Sequence, residues 1–182
     1  MVFNQFRAVF NFYRGFRSDA RQHYAQAVKY YTKAVGLGCE EAQVSLGQCY
    51  LCGKGTAQDY AKAVELFANA AEHGFAAAQY SLGTCYEQGL GVSRNHVTAF
   101  NWFTKAAEQG HADAQNKLSV CYMKGLGIKR DIEKAIKWGL KAARQGNAEA
   151  QSNVADWKKQ GLIQNDVDAD EHYDIFYDLD HC

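Results

Sequence analysis

Ala78-Gln79-Tyr80-Ser81-Leu82-Gly83-Thr84-Cys85-Tyr86 has a counterpart 36 residues upstream, Ala42-Gln43-Val44-Ser45-Leu46-Gly47-Gln48-Cys49-Tyr50, and another 36 residues downstream, Ala114-Gln115-Asn116-Lys117-Leu118-Ser119-Val120-Cys121-Tyr122. Ala150-Gln151 opens a fourth copy at the same offset. A fixed period of roughly 20–50 residues marks stacked supersecondary units, each burying a face that its neighbour supplies. The residues that recur are small or aromatic, the composition of a packing surface rather than of a reaction centre. Arrays of this kind usually present surfaces to other proteins.

Each unit reads as two helices. Ala42, Leu46, Cys49, Tyr50 and Gly53 fall on one face of a 3.6-residue helix, which predicts that this face turns inward. Gly47 and Gly83 sit inside that helix at a cost of roughly 1 kcal/mol relative to alanine, which predicts a close approach by the partner helix. Paired glycines follow, Gly53 and Gly55, Gly89 and Gly91, Gly125 and Gly127, as helix stop signals. Asp59, Asn95 and Asp131 then stand where an N-cap is needed. The second helix runs through Ala63, Leu66, Phe67 and Ala70, with Ala99, Trp102, Phe103 and Ala106, and Ala135, Trp138, Gly139 and Ala142 in the later copies; it closes at Gly74, Gly110 and Gly146.

This pattern resembles the Sel1-like repeat, of the tetratricopeptide-type helical-repeat superfamily. It stands out best in residues 77–112 as Ala78, Leu82-Gly83, Tyr86, Gly89-Leu90-Gly91-Val92, Asn95, Ala99, Trp102, Ala106-Ala107 and Gly110. Ser119 replaces the inner glycine of the third copy and Gly139 replaces an aromatic. The resemblance implies an all-α fold, a right-handed α-solenoid of stacked antiparallel helix pairs with degenerate terminal repeats. The organisation expected is a capping helix pair over 1–40, repeats over 41–76, 77–112 and 113–148, a partial repeat over 149–162, and an acidic, aromatic tail over 163–182. In the first pair, Ala27, Ala34 and Gly38 continue the second-helix columns, and Phe3, Phe6, Phe10 and Tyr13 are expected to form the inward stripe of the preceding helix.

In solenoids of this type the first helix of each pair lines the concave surface. The positions on it that face away from the packing residues are Val44, Gln48, Leu51 and Cys52, then Tyr80, Thr84, Glu87 and Gln88, then Asn116, Val120, Met123 and Lys124. These columns vary while the packing columns repeat. We therefore expect Val44, Gln48, Leu51, Tyr80, Thr84, Glu87, Asn116, Val120, Met123 and Lys124 to receive a protein partner, with the apolar ones at the centre of the contact or packed against the next repeat.

The zero net charge conceals a division. Residues before 163 hold all twenty Lys and Arg against thirteen acids, a net +7, and residues 163–182 hold seven acids and no Lys or Arg. The tail reads as a solvated acidic extension. Its Tyr173, Phe176 and Tyr177 also suit a self-ligand folded onto the basic third repeat, near Lys117, Lys124, Lys129, Arg130, Lys134 and Lys137. Asp166, Asp168 and Asp170 begin like a calcium loop, but Glu171 and Tyr177 occupy the positions that require glycine and glutamate, so no metal is expected.

No other chemistry is complete. Cys49, Cys85 and Cys121 form one column spaced by about 10 Å, one packed-helix distance, which is too far for a disulfide and predicts buried free thiols. Cys49 and Cys52 lack the two further ligands of a zinc site. Secreted Sel1-like families staple their helices with cysteines at positions that here hold Gln43 and Ala71, which points to a reducing, cytoplasmic setting. Arg7, Arg14 and Arg17 interrupt any signal core, although an arginine-bearing start also fits an organellar presequence. No run reaches the ~18 apolar residues of a membrane span. No nucleophile has a visible base, no cofactor motif is present, and the basic residues do not form a nucleic-acid module. The expectation is a non-enzymatic adaptor or scaffold. The alternatives are a cognate inhibitor or immunity-type protein that covers an enzyme, or a hydrolase of the cysteine-rich Sel1-like type acting on cell-wall peptide antibiotics.

Overall fold

A computed structural model describes residues 2–163, with the side chains of 4–163. The described residues form nine helices and no strand: α1 (Val2–Ala20), α2 (Tyr24–Val35), α3 (Glu40–Cys52), α4 (Tyr60–Glu72), α5 (Ala76–Gln88), α6 (His96–Glu108), α7 (Ala112–Lys124), α8 (Ile132–Arg144) and α9 (Ala148–Lys159). Each helix packs against the helix before and after it in the chain, giving an all-α repeat array.

The repeated residues build the same joints each time. Asp59, Asn95 and Asp131 accept hydrogen bonds from the backbone N–H of Lys62, Thr98 and Lys134, each at 3.0 Å, so each second helix starts on a side-chain cap. Gly53, Gly89 and Gly125 end the first helices in the left-handed conformation. The second glycine of each pair does something else. A Cβ on Gly91 would sit 2.5 Å from the backbone carbonyl oxygen of Tyr60, where α4 begins, so this residue lets one repeat's loop lie directly on the previous repeat. Gly55 and Gly127 make the same approach to Tyr24 and His96.

The glycines inside the first helices are seats for aromatic rings. A Cβ on Gly47 would lie 2.5 Å from the ring of Phe67, and one on Gly83 would lie 2.7 Å from that of Phe103; both rings are fully buried. The third repeat solves the same joint differently. Ser119 replaces the glycine and Gly139 the phenylalanine; Ser119 Oγ donates to the Ala135 carbonyl at 2.6 Å, and the Trp157 ring from α9 covers Gly139 at 2.6 Å from where its Cβ would stand. Trp157, Ile136 and Ile163 form the buried cluster there.

The first helix departs from expectation. Phe6, Phe10 and Tyr13 are 70%, 53% and 64% exposed, so the stripe read as inward faces solvent. The face that packs on α2 and α3 carries Ala8, Phe12 and Gly15, and Gly15 seats the ring of Tyr31 as Gly47 seats Phe67. Gly15 sets this face because only a glycine there lets the Tyr31 ring approach.

Candidate protein-binding face

Side-chain hydrogen bonds tie successive first helices to one another. Gln48 Nε2 donates to Ser81 Oγ at 3.2 Å, Lys117 Nζ pairs with Glu87 at 2.8 Å, and Asn153 Nδ2 donates to Asn116 Oδ1 at 3.4 Å. α3, α5, α7 and α9 therefore form one row whose side chains cross from repeat to repeat. The residues expected to receive a partner all lie on this row, but the array itself uses many of them.

Tyr80 is half-buried, with its ring tilted 6.0 Å from Phe103 and stacked 4.9 Å from the imidazole of His111. Burial raises its phenol pKa. Val44 and Leu51 are half-buried against the Leu82 and Cys85 cluster, and Met123 against Ile136 and Trp157. Val120 is half-buried, as is Thr84, whose hydroxyl donates to the Tyr80 carbonyl at 3.0 Å. Asn116 corrects the expectation of a solvent-facing residue: it is 2% exposed, enclosed where α7 meets α9. Desolvation would lower the pKa of Lys117, but the hydrogen bond and charge of Glu87 outweigh it and hold the ammonium above its ordinary value. Gln48 and Lys124 are the exposed members of the set. Tyr173, Phe176 and Tyr177, the expected tail contacts, lie outside the described residues.

A second ladder went unread in the sequence although its signal was plain, a glutamine directly after each column alanine. Gln79, Gln115 and Gln151 donate to the carbonyls of Ala71, Ala107 and Ala143 at 3.1–3.2 Å, clamping each repeat to the one before it. Gln109 and Gln145 then donate to Gln79 and Gln115 at 2.8 and 2.7 Å. The Gln43 and Ala71 columns are thus joined here by hydrogen bonds at the repeat junctions.

Cys39, Cys49, Cys85 and Cys121 are buried and free, and Cys52 is exposed and free. Desolvation pushes the thiols of Cys49, Cys85 and Cys121 up to about 11. Among the described residues no three His, Cys, Asp or Glu side chains gather as a metal site, and no helix is long and apolar enough to cross a membrane.

A row of ring-on-glycine joints, capped second helices and junction glutamines defines a helical-repeat protein. The Sel1 repeat matches residues 12–39, 40–75, 76–111 and 112–147, and the chain belongs to this family. It is 37% identical to a protective antigen present in uropathogenic Escherichia coli strains that displays an SLR fold, with a TM-score of 0.78 over 85% of this chain and 34% of that one. It is 33% identical to a Sel1 repeat protein from Oxalobacter formigenes, with a TM-score of 0.77 over 83% of this chain and 60% of that one. The chain thus spans less than two thirds of either structure. Helicobacter pylori cysteine rich protein B shares the fold, at 24% identity and a TM-score of 0.58 over 70% of this chain and 92% of that one. No curated protein matches the chain.

Proposed function

We propose that the chain is a non-enzymatic adaptor or scaffold of the cytoplasm that captures a protein partner on the concave row of first helices. Sel1 repeat proteins are generally protein-interaction modules, which supplies the class. The observation that carries the finer reading is the division of labour along the row. The columns that hold the fold recur in every repeat, whereas Val44, Tyr80 and Asn116, or Gln48, Thr84 and Val120, differ from repeat to repeat at equivalent places. Positions that vary between copies of one fold are free to specialise where they reach the surface, as Gln48 does and as Lys124 does in its own column.

The exposed members of the row make the test, because Tyr80 and Met123 also support the core. Affinity capture from native lysate should compare wild type with Gln48→Arg/Lys124→Glu, shown by circular dichroism to stay helical. A stoichiometric protein lost by the variant supports this reading. A protein retained equally by both moves the site off the row, and no captured protein removes the basis for an adaptor. If the captured protein is an enzyme whose activity falls on binding, the role narrows to that of an inhibitor.

A further inference from the structure

The helix pair α1–α2 breaks the packing columns of the array in one place. With the Gly15 and Tyr31 seat matched to that of Gly47 and Phe67, Arg14 stands in the column of Leu46, Arg17 in that of Cys49 and Ser18 in that of Tyr50. In the later pairs these columns face the second helix of the preceding pair: Leu46 and Cys49 pack with Ala27 and Tyr31, and Leu118 with Ala106 and Ala107. Guanidinium groups fit that place poorly, because burying them against alanines and rings without a partner charge is costly. The residues themselves therefore mark this face as suited to something other than stacking.

The substituted columns open onto a cavity of about 360 Å³ lined by Arg14, Arg17, Arg21, His23, Gln26 and Tyr30, with no carboxylate among its lining residues. The Arg14 guanidinium lies over the rings of Tyr30 and Phe10, at 4.4 and 5.5 Å from their centroids, which holds one donor fork at the cavity. None of the three arginines makes an ion pair among the described residues. The helix dipole accounts for Arg17 in the last turn of α1, but not for Arg14 one turn further in. Three guanidinium groups thus share one cavity in which nothing negative answers them.

We infer that this cavity binds a phosphomonoester group carried on a larger molecule. Guanidinium forks match the oxygens of a carboxylate or a phosphate. A carboxylate offers two oxygens and one charge, which a single fork satisfies. A phosphomonoester offers three terminal oxygens and a charge of about −1.5 to −2, so it engages two or three arginines at once. The volume falls at the lower end of the roughly 300–1,000 Å³ typical of small-molecule sites, which leaves room for the group that carries the phosphate beside Gln26 and Tyr30.

The test titrates phenyl phosphate into the full chain in about 0.15 M salt and follows backbone amide chemical shifts by NMR. Saturable shifts confined to residues 14–30 are expected, with a Kd below about 1 mM, and binding of benzoate and phenyl sulfate should be weaker by about tenfold. Arg17→Ala/Arg21→Ala should weaken phenyl phosphate by about tenfold or more with circular dichroism unchanged, because both side chains are exposed. Arg14→Lys, which keeps the charge and removes the fork, should also weaken it. Shifts that fail to saturate, or shifts of equal size around Lys124, Lys129 and Lys134, would overturn the inference. So would benzoate that binds as tightly as phenyl phosphate, or an Arg17→Ala/Arg21→Ala variant that binds like wild type. A phosphoserine peptide that moves the same amides at lower concentration than phenyl phosphate supports the site and makes its source a phosphorylated protein; one that needs a higher concentration supports the site and makes its source a small phosphate ester.

Discussion

Gln43 Oε1 is the buried side-chain oxygen that lacks a hydrogen-bond partner among the described residues, and the repeat explains why. One and two repeats later, Gln109 and Gln145 donate to the equivalent oxygens of Gln79 and Gln115. His73 occupies that donor column in the first repeat and turns its Nδ1 to the Asn69 carbonyl at 2.8 Å instead. His73→Gln should therefore restore the missing bond and stabilise the fold by about 1 kcal/mol, the usual net value for a buried polar group that gains a partner. The exposed approach of His73 to Glu40 at 3.7 Å contributes little to offset this. A urea midpoint that rises with unchanged slope is the expected result, and an unchanged or lower midpoint counts against it. His111 makes a second residue-scale case. Its Nδ1 accepts from the Ala114 N–H at 3.3 Å at the start of α7, a role that requires the neutral ring. Burial lowers its pKa, and the nearby Asp113 carboxylate only partly opposes this. A folded pKa below the ordinary 6.5 means that the cap's contribution is complete above that value and is lost as pH falls through the lower folded pKa. Asn147 caps α9 in the same column without titrating. His111→Asn should flatten the fall in stability below pH 6.5 that wild type shows in urea titrations; an unaltered pH dependence would assign that fall to other groups.

At the scale of elements, the joint between α7 and α8 depends on a helix from the following unit. In the second and third helix pairs a phenylalanine from the same pair fills the glycine seat, whereas here Gly139 leaves the space and Trp157 of α9 fills it. Trp157→Ala should cost about 3–5 kcal/mol, the range for removing a large buried aromatic, and the loss should be confined first to α8 and α9 because repeats contact only their neighbours. Hydrogen exchange should show α8 and α9 opening while α3–α6 keep their protection. Uniform loss across the array would mean that the repeats do not behave as separate units. The contrast between α1 and the later first helices has a similar origin. Three residues join α1 to α2, whereas seven join α3 to α4. Gly15 and Tyr31 are thus four residues closer in sequence than Gly47 and Phe67, which hid the shared seat from a search at a fixed 36-residue period. The aromatic stripe, a hydrophobic pattern of the right period, then pointed to the wrong face.

Across the whole molecule, what the sequence made legible was what local chemistry decides: the period, the capped starts, the glycine stops and the buried Cys49, Cys85 and Cys121 column all depend on residues a few positions apart. What it hid depends on neighbours in space. Asn116 varies like a recognition residue, yet α9 encloses it; Tyr80 reads as an exposed anchor, yet Phe103 and His111 hold it. The varying columns therefore mix surface with repeat-to-repeat contact, and the binding reading rests on the row as a whole rather than on each member. Its most direct test is hydrogen exchange of the full chain with and without the protein it captures. The account predicts added protection along α3, α5 and α7, with α4, α6 and α8 unchanged; protection confined to those second helices, or none, would contradict it.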